Sequence, residues 1–235
     1  MRATRAARAL ALAALLAGAA AAVAHADDAE ARRARATANR IELDWPLAGS
    51  GAVATYVRRL GAKLGEAAGV SPYPWRFVVV RDRSANAFAI GGGRIYVNEG
   101  VILLCADEAE VAAILAHEMG HQLAGHFRDP TSARASDGAS ARIDLGAVTQ
   151  EIDLAKEIEA DRLGLRILAD AGYDPHAALA LALRLQASGA GTAPPLRDAR
   201  RIDGLRAALH DVPAGGRRDS EAFRALRGRL RQPGG

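Results

Sequence analysis

Residues 107–126, DEAEVAAILAHEMGHQLAGH, are the most strongly patterned stretch of the chain. Asp107 is a residue type that caps helix N-termini, and Glu110 stands three residues later, at the position of a capping box. Apolar residues then recur at helical spacing as far as Leu123. The pattern predicts one long helix that buries an apolar stripe and ends near His126.

This helix contains the pentapeptide His117-Glu118-Met119-Gly120-His121. A separation of four residues places both imidazoles on one helix face, which suits two ligands of one zinc ion. Glu118, beside the first ligand, is placed to activate a zinc-bound water for attack on a carbonyl. Two surface histidines on an amphipathic helix are the alternative, but strands able to line a cleft precede this capped helix. We therefore predict one zinc ion per chain, with Glu118 as the catalytic base.

A catalytic zinc needs a third protein ligand and one open coordination position. The acidic stretch Glu157-Ile158-Glu159-Ala160-Asp161 lies in a predicted helix, with its first and last acids on one face. One acid of this pair would bind the metal while the other accepts a hydrogen bond from a ligand imidazole. Periodicity alone does not choose between Glu157, Glu159 and Asp161, and an ordinary acidic face is the alternative. His126, about 140° round the helix from the second histidine, is expected to pack beside the site.

The surrounding pattern predicts an α+β fold, mostly helical, with a small β-sheet beside the motif helix. Runs of β-branched residues between turn signals predict three strands, at residues 77–80, 86–90 and 94–97. Gly91-Gly92-Gly93 predicts a hairpin between the last two strands. Apolar periodicity predicts further helices over residues 51–68, 145–171 and 174–188, and in the Arg-rich segment 196–235.

We expect one exported domain, residues 27–235. Residues 1–26 resemble a secretory signal peptide, with a basic start, an Ala/Leu run and the cleavage site Ala24-His25-Ala26. Cleavage after Ala26 would release a periplasmic protein. A retained anchor is the alternative, but the apolar run is short for a membrane span. Residues 127–145 lose periodicity and are predicted to form a mobile loop.

Charge gives no indication of a nucleic-acid partner. Without residues 1–26 the chain has 28 basic and 27 acidic side chains, so the high isoelectric point reflects the leader. Segment 196–235 contains ten Arg and five acids. We interpret it as Arg-rich helices with a solvated face, and peripheral contact with an anionic membrane surface is the alternative.

Four motifs in this order carry a resemblance to one family. They are Asn86-Ala87-Phe88-Ala89, residues 92–97, residues 117–121 with His126, and residues 157–162. Together they resemble the zinc metallopeptidase family of the CAAX prenyl proteases, HtpX and BepA, family forty-eight of the metallopeptidases. The resemblance implies a gluzincin-type fold, with Glu157 as the third zinc ligand and Asp161 supporting a ligand histidine. It also implies that Asn86, Ala87 and Phe88 edge the substrate cleft, although a plain core strand is the alternative.

The leading functional hypothesis is a zinc-dependent endopeptidase, compact and stand-alone, acting on protein or peptide substrates. The resemblance alone implies that these substrates are misfolded or misassembled cell-envelope proteins. A zinc-binding periplasmic chaperone or assembly factor with little turnover is the alternative. Glu118 favours the enzyme, since a protein that only binds zinc has no need of this carboxylate.

Overall fold

The computed structural model of the protein describes residues 28–128, 154–188 and 199–231. The predicted signal peptide and most of the predicted loop 127–145 lie outside these residues. The described helices are α1 (residues 28–44), α2 (Ala52–Ala67), α3 (Glu99–Leu104), α4 (Glu108–Leu123), α5 (Leu154–Asp170), α6 (His176–Ser188), α7 (Ala199–Leu209) and α8 (Glu221–Leu230). The described strands are β1 (Arg76–Val80), β2 (Ala87–Ala89) and β3 (Arg94–Asn98). The predicted mostly helical α+β fold is confirmed.

The three strands form one mixed sheet in the order β1-β3-β2, in which β3 runs parallel to β1 and antiparallel to β2. The turn between β2 and β3 is the predicted glycine run. Gly91, Gly92 and Gly93 have φ angles of 83°, 56° and 73°, a left-handed conformation that only glycine adopts without strain. This turn leaves β2 at one edge of the sheet.

Both faces of the sheet are buried, and successive side chains of each strand point to opposite faces. One face, with Phe77, Val79 and Val97, joins the main core formed with α2 and α4. The other face carries Phe88 and Tyr96, whose rings stack 5.2 Å apart and pack with residues of α1. The short strands are therefore held between helices.

A buried carboxylate on α1 ties this helix to the end of α4 and to the glycine turn. Glu30 is 2% exposed, and its Oε1 accepts hydrogen bonds from the Gly92 amide at 2.9 Å and from Gln122 Nε2 at 2.8 Å. The Gln122 side chain in turn accepts from the Gly93 amide at 3.1 Å. These bonds fix the β2–β3 turn beside the helix that contains the histidine motif.

Helix α4 begins as the sequence predicts and ends three residues earlier than predicted. The Asp107 side chain caps it by accepting from the Glu110 amide at 3.0 Å. The Glu110 carboxylate accepts from the Ala106 amide, so the reciprocal bond of a capping box is shifted by one residue. Gly125 adopts a φ of 73°, which is typical of helix C-termini and stops α4 before His126.

One described helix, α3, lies where the sequence pattern predicted no element. The apolar run around Cys105 contains a short helix, α3, because four to eight apolar residues do not distinguish strand from helix. The Cys105 thiol is fully buried. Among the described helices, none combines the length and the apolar composition needed to cross a bilayer.

The two motif helices, α4 and α5, pack with their backbones in close contact. A Cβ atom built on Gly120, inside the histidine motif, would lie 2.4 Å from the carbonyl oxygen of Ala160. A Cβ on Gly164 would lie 3.1 Å from the His117 amide nitrogen. Glycine at these positions therefore sets the distance between the histidines of α4 and the acids of α5.

Gly120→Ala is expected to push α5 away from α4. We expect it to lower the free energy of unfolding by about 1–3 kcal/mol, as overpacked cores do, and to weaken metal binding. Thermal unfolding and metal titration measure both effects. Gly228→Ala in α8 is the matched control, because nothing lies within 4 Å of its added methyl group. A Gly120→Ala protein as stable as the Gly228→Ala control would show that the two helices need no such close approach.

Candidate metal centre

Three side chains from two helices meet at one point. His117 and His121 lie on α4, and Glu157 lies on the first turns of α5. The Nε2 atoms of the two histidines are 3.0 Å apart. One Glu157 oxygen lies 3.4 Å from Nε2 of His117, and the other lies 3.5 Å from Nε2 of His121. Of the predicted acids, Glu157 is thus the one that faces both imidazoles. Within the described part of the chain, this trio forms the one group able to hold a metal ion.

The donor atoms fit a tetrahedral zinc ion. Bonds of about 2.0–2.1 Å at tetrahedral angles place neighbouring donors about 3.3 Å apart, close to the three separations observed. Two histidine nitrogens 3.0 Å apart can share either a proton or a metal ion between their lone pairs. Two histidines and one carboxylate are a donor set of catalytic zinc sites.

Asp161 orients the first histidine. Its Oδ1 lies 2.8 Å from His117 Nδ1, so Nδ1 donates the hydrogen bond and the Nε2 lone pair points into the trio. Burial and the Arg201 guanidinium lower the pKa of His117, but the Asp161 and Glu157 carboxylates outweigh them and raise it to about 10. The surroundings therefore favour positive charge at this point.

His121 is oriented through a second chain of hydrogen bonds. Its Nδ1 lies 2.8 Å from Nδ1 of His126, whose Nε2 lies 3.3 Å from the exposed Glu159 carboxylate. If His126 donates to Glu159, its Nδ1 accepts from His121, which leaves the His121 Nε2 lone pair for a metal. Burial and the neighbouring His117 hold the pKa of His121 well below its ordinary value. His126 thus lies beside the site without facing the trio.

The residue that sequence reasoning missed is Arg201 of α7. This guanidinium is 7% exposed and binds Asp161 through two hydrogen bonds of 2.8 and 2.9 Å. It also lies 2.7 Å from a Glu157 oxygen. The interpretation of segment 196–235 as a solvated face is wrong for Arg201. Its neighbour Arg200 has the same charge, so composition offers no signal, and only the burial of Ile202 and Leu205 on the same helix indicates the inward face.

The charges around the trio add up to a deficit that a divalent cation would neutralise. Glu118, Glu157 and Asp161 supply three carboxylates, and Arg201 supplies the one guanidinium that pairs with them. Despite burial, His117 and Arg201 hold the pKa values of Glu157 and Asp161 below their usual range, so both are ionised. Full ionisation of these four groups gives a net charge of −2, which a divalent cation held between neutral histidines would balance. Without a metal ion, a proton on His117, whose pKa is raised to about 10, offsets one of these negative charges.

Glu118 lies next to the trio and does not belong to it. Its Oε2 accepts a hydrogen bond from the Ala89 amide of β2 at 2.9 Å. Burial, together with the Glu157 charge, raises the pKa of Glu118 to about 7, although His117 and the Ala89 amide oppose the shift. A carboxylate with this pKa can take up and release a proton near neutral pH.

Only some of the β2 residues predicted to edge the cleft turn their main-chain groups away from the sheet. Hydrogen bonds from Asn98 to Asn86 and from Ile90 to Arg94 show that alternate residues of β2 face β3. The main-chain groups of Ala87 and Ala89 therefore point away from β3, on the side of Glu118. Phe88, also expected at the cleft, is 3% exposed and stacked on Tyr96, so its side chain belongs to the core.

Removing Arg201 tests whether it holds the acids together. We expect Arg201→Ala to lower the free energy of unfolding of the metal-free protein by about 3–5 kcal/mol, because Asp161 and Glu157 then lie buried without their partner. Denaturant unfolding in a chelating buffer measures it. Arg206→Ala on the same helix is the control, since the exposed Arg206–Asp203 pair contributes at most about 1 kcal/mol. Equal losses in the two variants would contradict the structural role of Arg201.

The site combines two histidines one helical turn apart, an acid from the next helix and a carboxylate at an edge strand. This arrangement is typical of metallopeptidases. The model of peptidase family M48 matches residues 52–209, more than half of the chain. The protein belongs to this family, as the resemblance predicted. All the residues of the trio, together with Glu118, Asp161 and Arg201, lie within the matched region.

Curated relatives have names that agree with this assignment. The mitochondrial metalloendopeptidase OMA1 of Schizosaccharomyces pombe is 32% identical over 148 residues, which are 57% of this chain and 44% of that protein. The putative beta-barrel assembly-enhancing protease of Vibrio cholerae is 31% identical over 147 residues, 52% of this chain and 30% of that protein. The Escherichia coli K12 beta-barrel assembly-enhancing protease is 25% identical over 162 residues, with 56% and 32% covered. The chain spans less than half the length of each.

Proposed function

We propose that this protein is a zinc-dependent endopeptidase. The observation that carries the proposal is the position of Glu118, a carboxylate with a pKa near 7 that lies beside a metal-type donor trio and under an edge strand. His117, His121 and Glu157 would hold the ion, and Asp161, Arg201 and His126 orient them. A protein that stored or carried the metal would need only the ligands.

Zinc bound to the trio would polarise the scissile carbonyl and make a water molecule nucleophilic near neutral pH. Glu118 accepts the proton of the attacking water and then delivers it to the leaving amine. Its hydrogen bond from the Ala89 amide fixes the carboxylate for both transfers.

The substrate is proposed to add to the sheet as a further strand. The outward main-chain groups of Ala87 offer a donor and an acceptor to an extended peptide at the edge of β2. Main-chain recognition of this kind requires an unfolded or locally extended segment. It therefore suits substrates that have lost their fold or have not reached it.

We propose misfolded or misassembled cell-envelope proteins as the substrate class, met in the periplasm after cleavage behind Ala26. Two relatives are named for beta-barrel assembly, which supports this substrate class, whereas OMA1 is named for the mitochondrion. The Arg-rich helices α7 and α8 are proposed to make the peripheral membrane contact. Intact-mass measurement of exported protein tests the location, with a chain that begins at Asp27 as the expected result.

Cleavage of an unfolded protein tests the activity. We expect the purified protein to cleave casein, a chelator to stop the cleavage, and added zinc to restore it. The physical reason is that the trio cannot orient or polarise a substrate without its ion. Gel electrophoresis and metal analysis are the measurements. Stoichiometric zinc with no cleavage would contradict the enzyme and favour a zinc-binding chaperone.

A further inference from the structure

A second concave site lies at the opposite end of α4 from the metal centre. It is a cleft of about 570 Å³ between α2, α8 and the first turn of α4, and we call it the α2–α8 cleft. Its volume falls in the range of small-molecule sites. Glu108 at its base is nine residues before His117, which corresponds to about 13 Å along the helix. The α2–α8 cleft is therefore separate from the proposed peptidase site.

The lining of the cleft combines an apolar floor with a basic rim. Tyr56, Tyr173, Leu60 and Leu226 form most of the floor. Four basic side chains line the same cleft: Arg59, Lys63, Arg217 and Arg229. Because Arg59 and Lys63 are four residues apart on α2, their side chains project from one face of that helix.

The single acid of the lining, Glu108, is already neutralised. Its carboxylate is 4% exposed and accepts hydrogen bonds from Tyr56 at 2.8 Å, from Tyr173 at 2.7 Å and from Ser220. Arg217 pairs with it at 2.9 Å. Glu108 and Arg217 therefore cancel, and they leave the other three cations of the rim in excess.

These three cations have no carboxylate partner among the described residues. Arg59 and Arg229 are exposed, and the Lys63 ammonium lies 4.2 Å above the centre of the Tyr173 ring. Burial and the nearby Arg217 lower the pKa of Lys63, and the Glu108 charge only partly opposes them. The rim thus offers three positive groups around one opening.

We propose that the α2–α8 cleft binds the phosphate of an anionic phospholipid headgroup. Arg59, Lys63 and Arg229 would surround the phosphate, and the leucine and tyrosine side chains of the floor would contact the glycerol and the first acyl carbons. A soluble phosphate ester has the same charged group, and the experiment separates the two sources. The proposal deepens the peripheral membrane contact proposed above and does not depend on peptidase activity.

The outward face of α8 favours a lipid surface as the source. Ala225 and Arg229 are exposed, and because they are four residues apart they share one face of this helix. Arg224 is exposed too but pairs with Asp219 at 2.8 Å. Glu221 lies at the far end of α8, away from Arg229. A basic helix beside an open apolar cleft is the arrangement expected of a protein that binds the surface of an anionic membrane.

The test is sedimentation of the exported protein with vesicles of phosphatidylcholine, with and without phosphatidylglycerol. We expect binding only to the vesicles that contain phosphatidylglycerol. Replacing Arg59, Lys63 and Arg229 together by Gln should weaken it about a hundredfold, because each basic side chain at such a surface contributes about fivefold. Glycerol phosphate, added alone and as a competitor, tests the soluble source.

Two matched variants separate the cleft from general surface charge. Replacing the exposed arginines Arg32, Arg35 and Arg40 of α1 by Gln removes the same charge away from the cleft and should leave binding within about threefold. Ala225→Trp keeps every charge but fills the cleft, and it should reduce binding at least about tenfold. Thermal unfolding confirms that each variant is folded.

The results of these experiments decide between the cleft, a general membrane contact and a soluble ligand. Equal losses in the two triple variants would show that the α2–α8 cleft is not the binding site, and so would full binding by a folded Ala225→Trp protein. Either result would still allow a general contact with the membrane surface. No binding to phosphatidylglycerol vesicles would overturn the membrane contact. Glycerol phosphate bound by the unchanged protein and lost in the Arg59, Lys63 and Arg229 variant would then assign the cleft to a soluble ester. Absence of both kinds of binding would refute the phosphate site.

Discussion

Glu118→Gln is expected to reduce peptide hydrolysis about 10²- to 10⁴-fold while the protein keeps its metal ion. The amide retains an oxygen that can accept the Ala89 hydrogen bond, so the side chain has no reason to move. It cannot take a proton from water, however, and the transfer to the leaving amine is lost with it. Casein cleavage and zinc content, measured on the same preparation, separate the two effects.

The control for this substitution is Glu159→Gln, which changes a carboxylate that is 60% exposed and interacts with His126 rather than the trio. We expect it to keep most of the activity. If the Glu118→Gln protein retained more than about a tenth of normal cleavage, another group would have to be the base. Loss of zinc in that variant would instead make Glu118 a ligand.

The second large effect is loss of the metal itself. His117→Ala, His121→Ala and Glu157→Ala should each fail to hold one zinc ion per chain through dialysis, and each should lose cleavage to background. A catalytic zinc ion is held by three protein ligands, and its fourth position is left for water or substrate. Each variant leaves only two protein ligands, which are too few to hold the ion. Metal analysis after dialysis is the measurement, and zinc-dependent thermal stabilisation is the independent readout, since bound metal stabilises only the folded state.

Glu159→Ala provides the matched control for the third ligand. It removes an acid from the same helix, two residues from Glu157, that contacts His126 and no ligand atom. We expect it to hold one zinc ion per chain, with at most a modest loss of affinity because His126 still orients His121. If Glu157→Ala kept the metal and Glu159→Ala lost it, the assignment of the acidic ligand would be wrong. The distances in the structure favour Glu157, because the Glu159 carboxylate lies against His126.

Much of the fold followed from local pattern. The capped helix α4, the glycine hairpin and the helix that starts after Asp174-Pro175 all have strong signals in single residues, and the structure contains each of them. The two histidines of the site share one helix, so their spacing alone predicts that they face the same point. The choice of Glu157 among three acids came from the family resemblance, since helical periodicity treats Glu157 and Asp161 alike.

The rest depended on contacts between distant parts of the chain. Arg201 pairs with an aspartate 40 residues earlier, and no local rule predicts which arginine of an Arg-rich helix turns inward. Phe88 shows a different limit. The resemblance placed its strand at the cleft, but the Phe88 side chain points to the sheet face that packs on α1. Only the register of β2 on β3 revealed which residues turn their main-chain groups away from β3.

The hydrogen bonds around the metal centre also bear on the order of folding. Glu30 binds a side chain 92 residues later in the sequence, and Arg201 lies against His117 across 84 residues. Contacts that close such long loops form late, because the entropy of loop closure must be overcome before they add stability. A chain still emerging from the ribosome would thus contain the histidine motif before it had a supported site. This delay would keep the nascent enzyme inactive until translation is nearly complete.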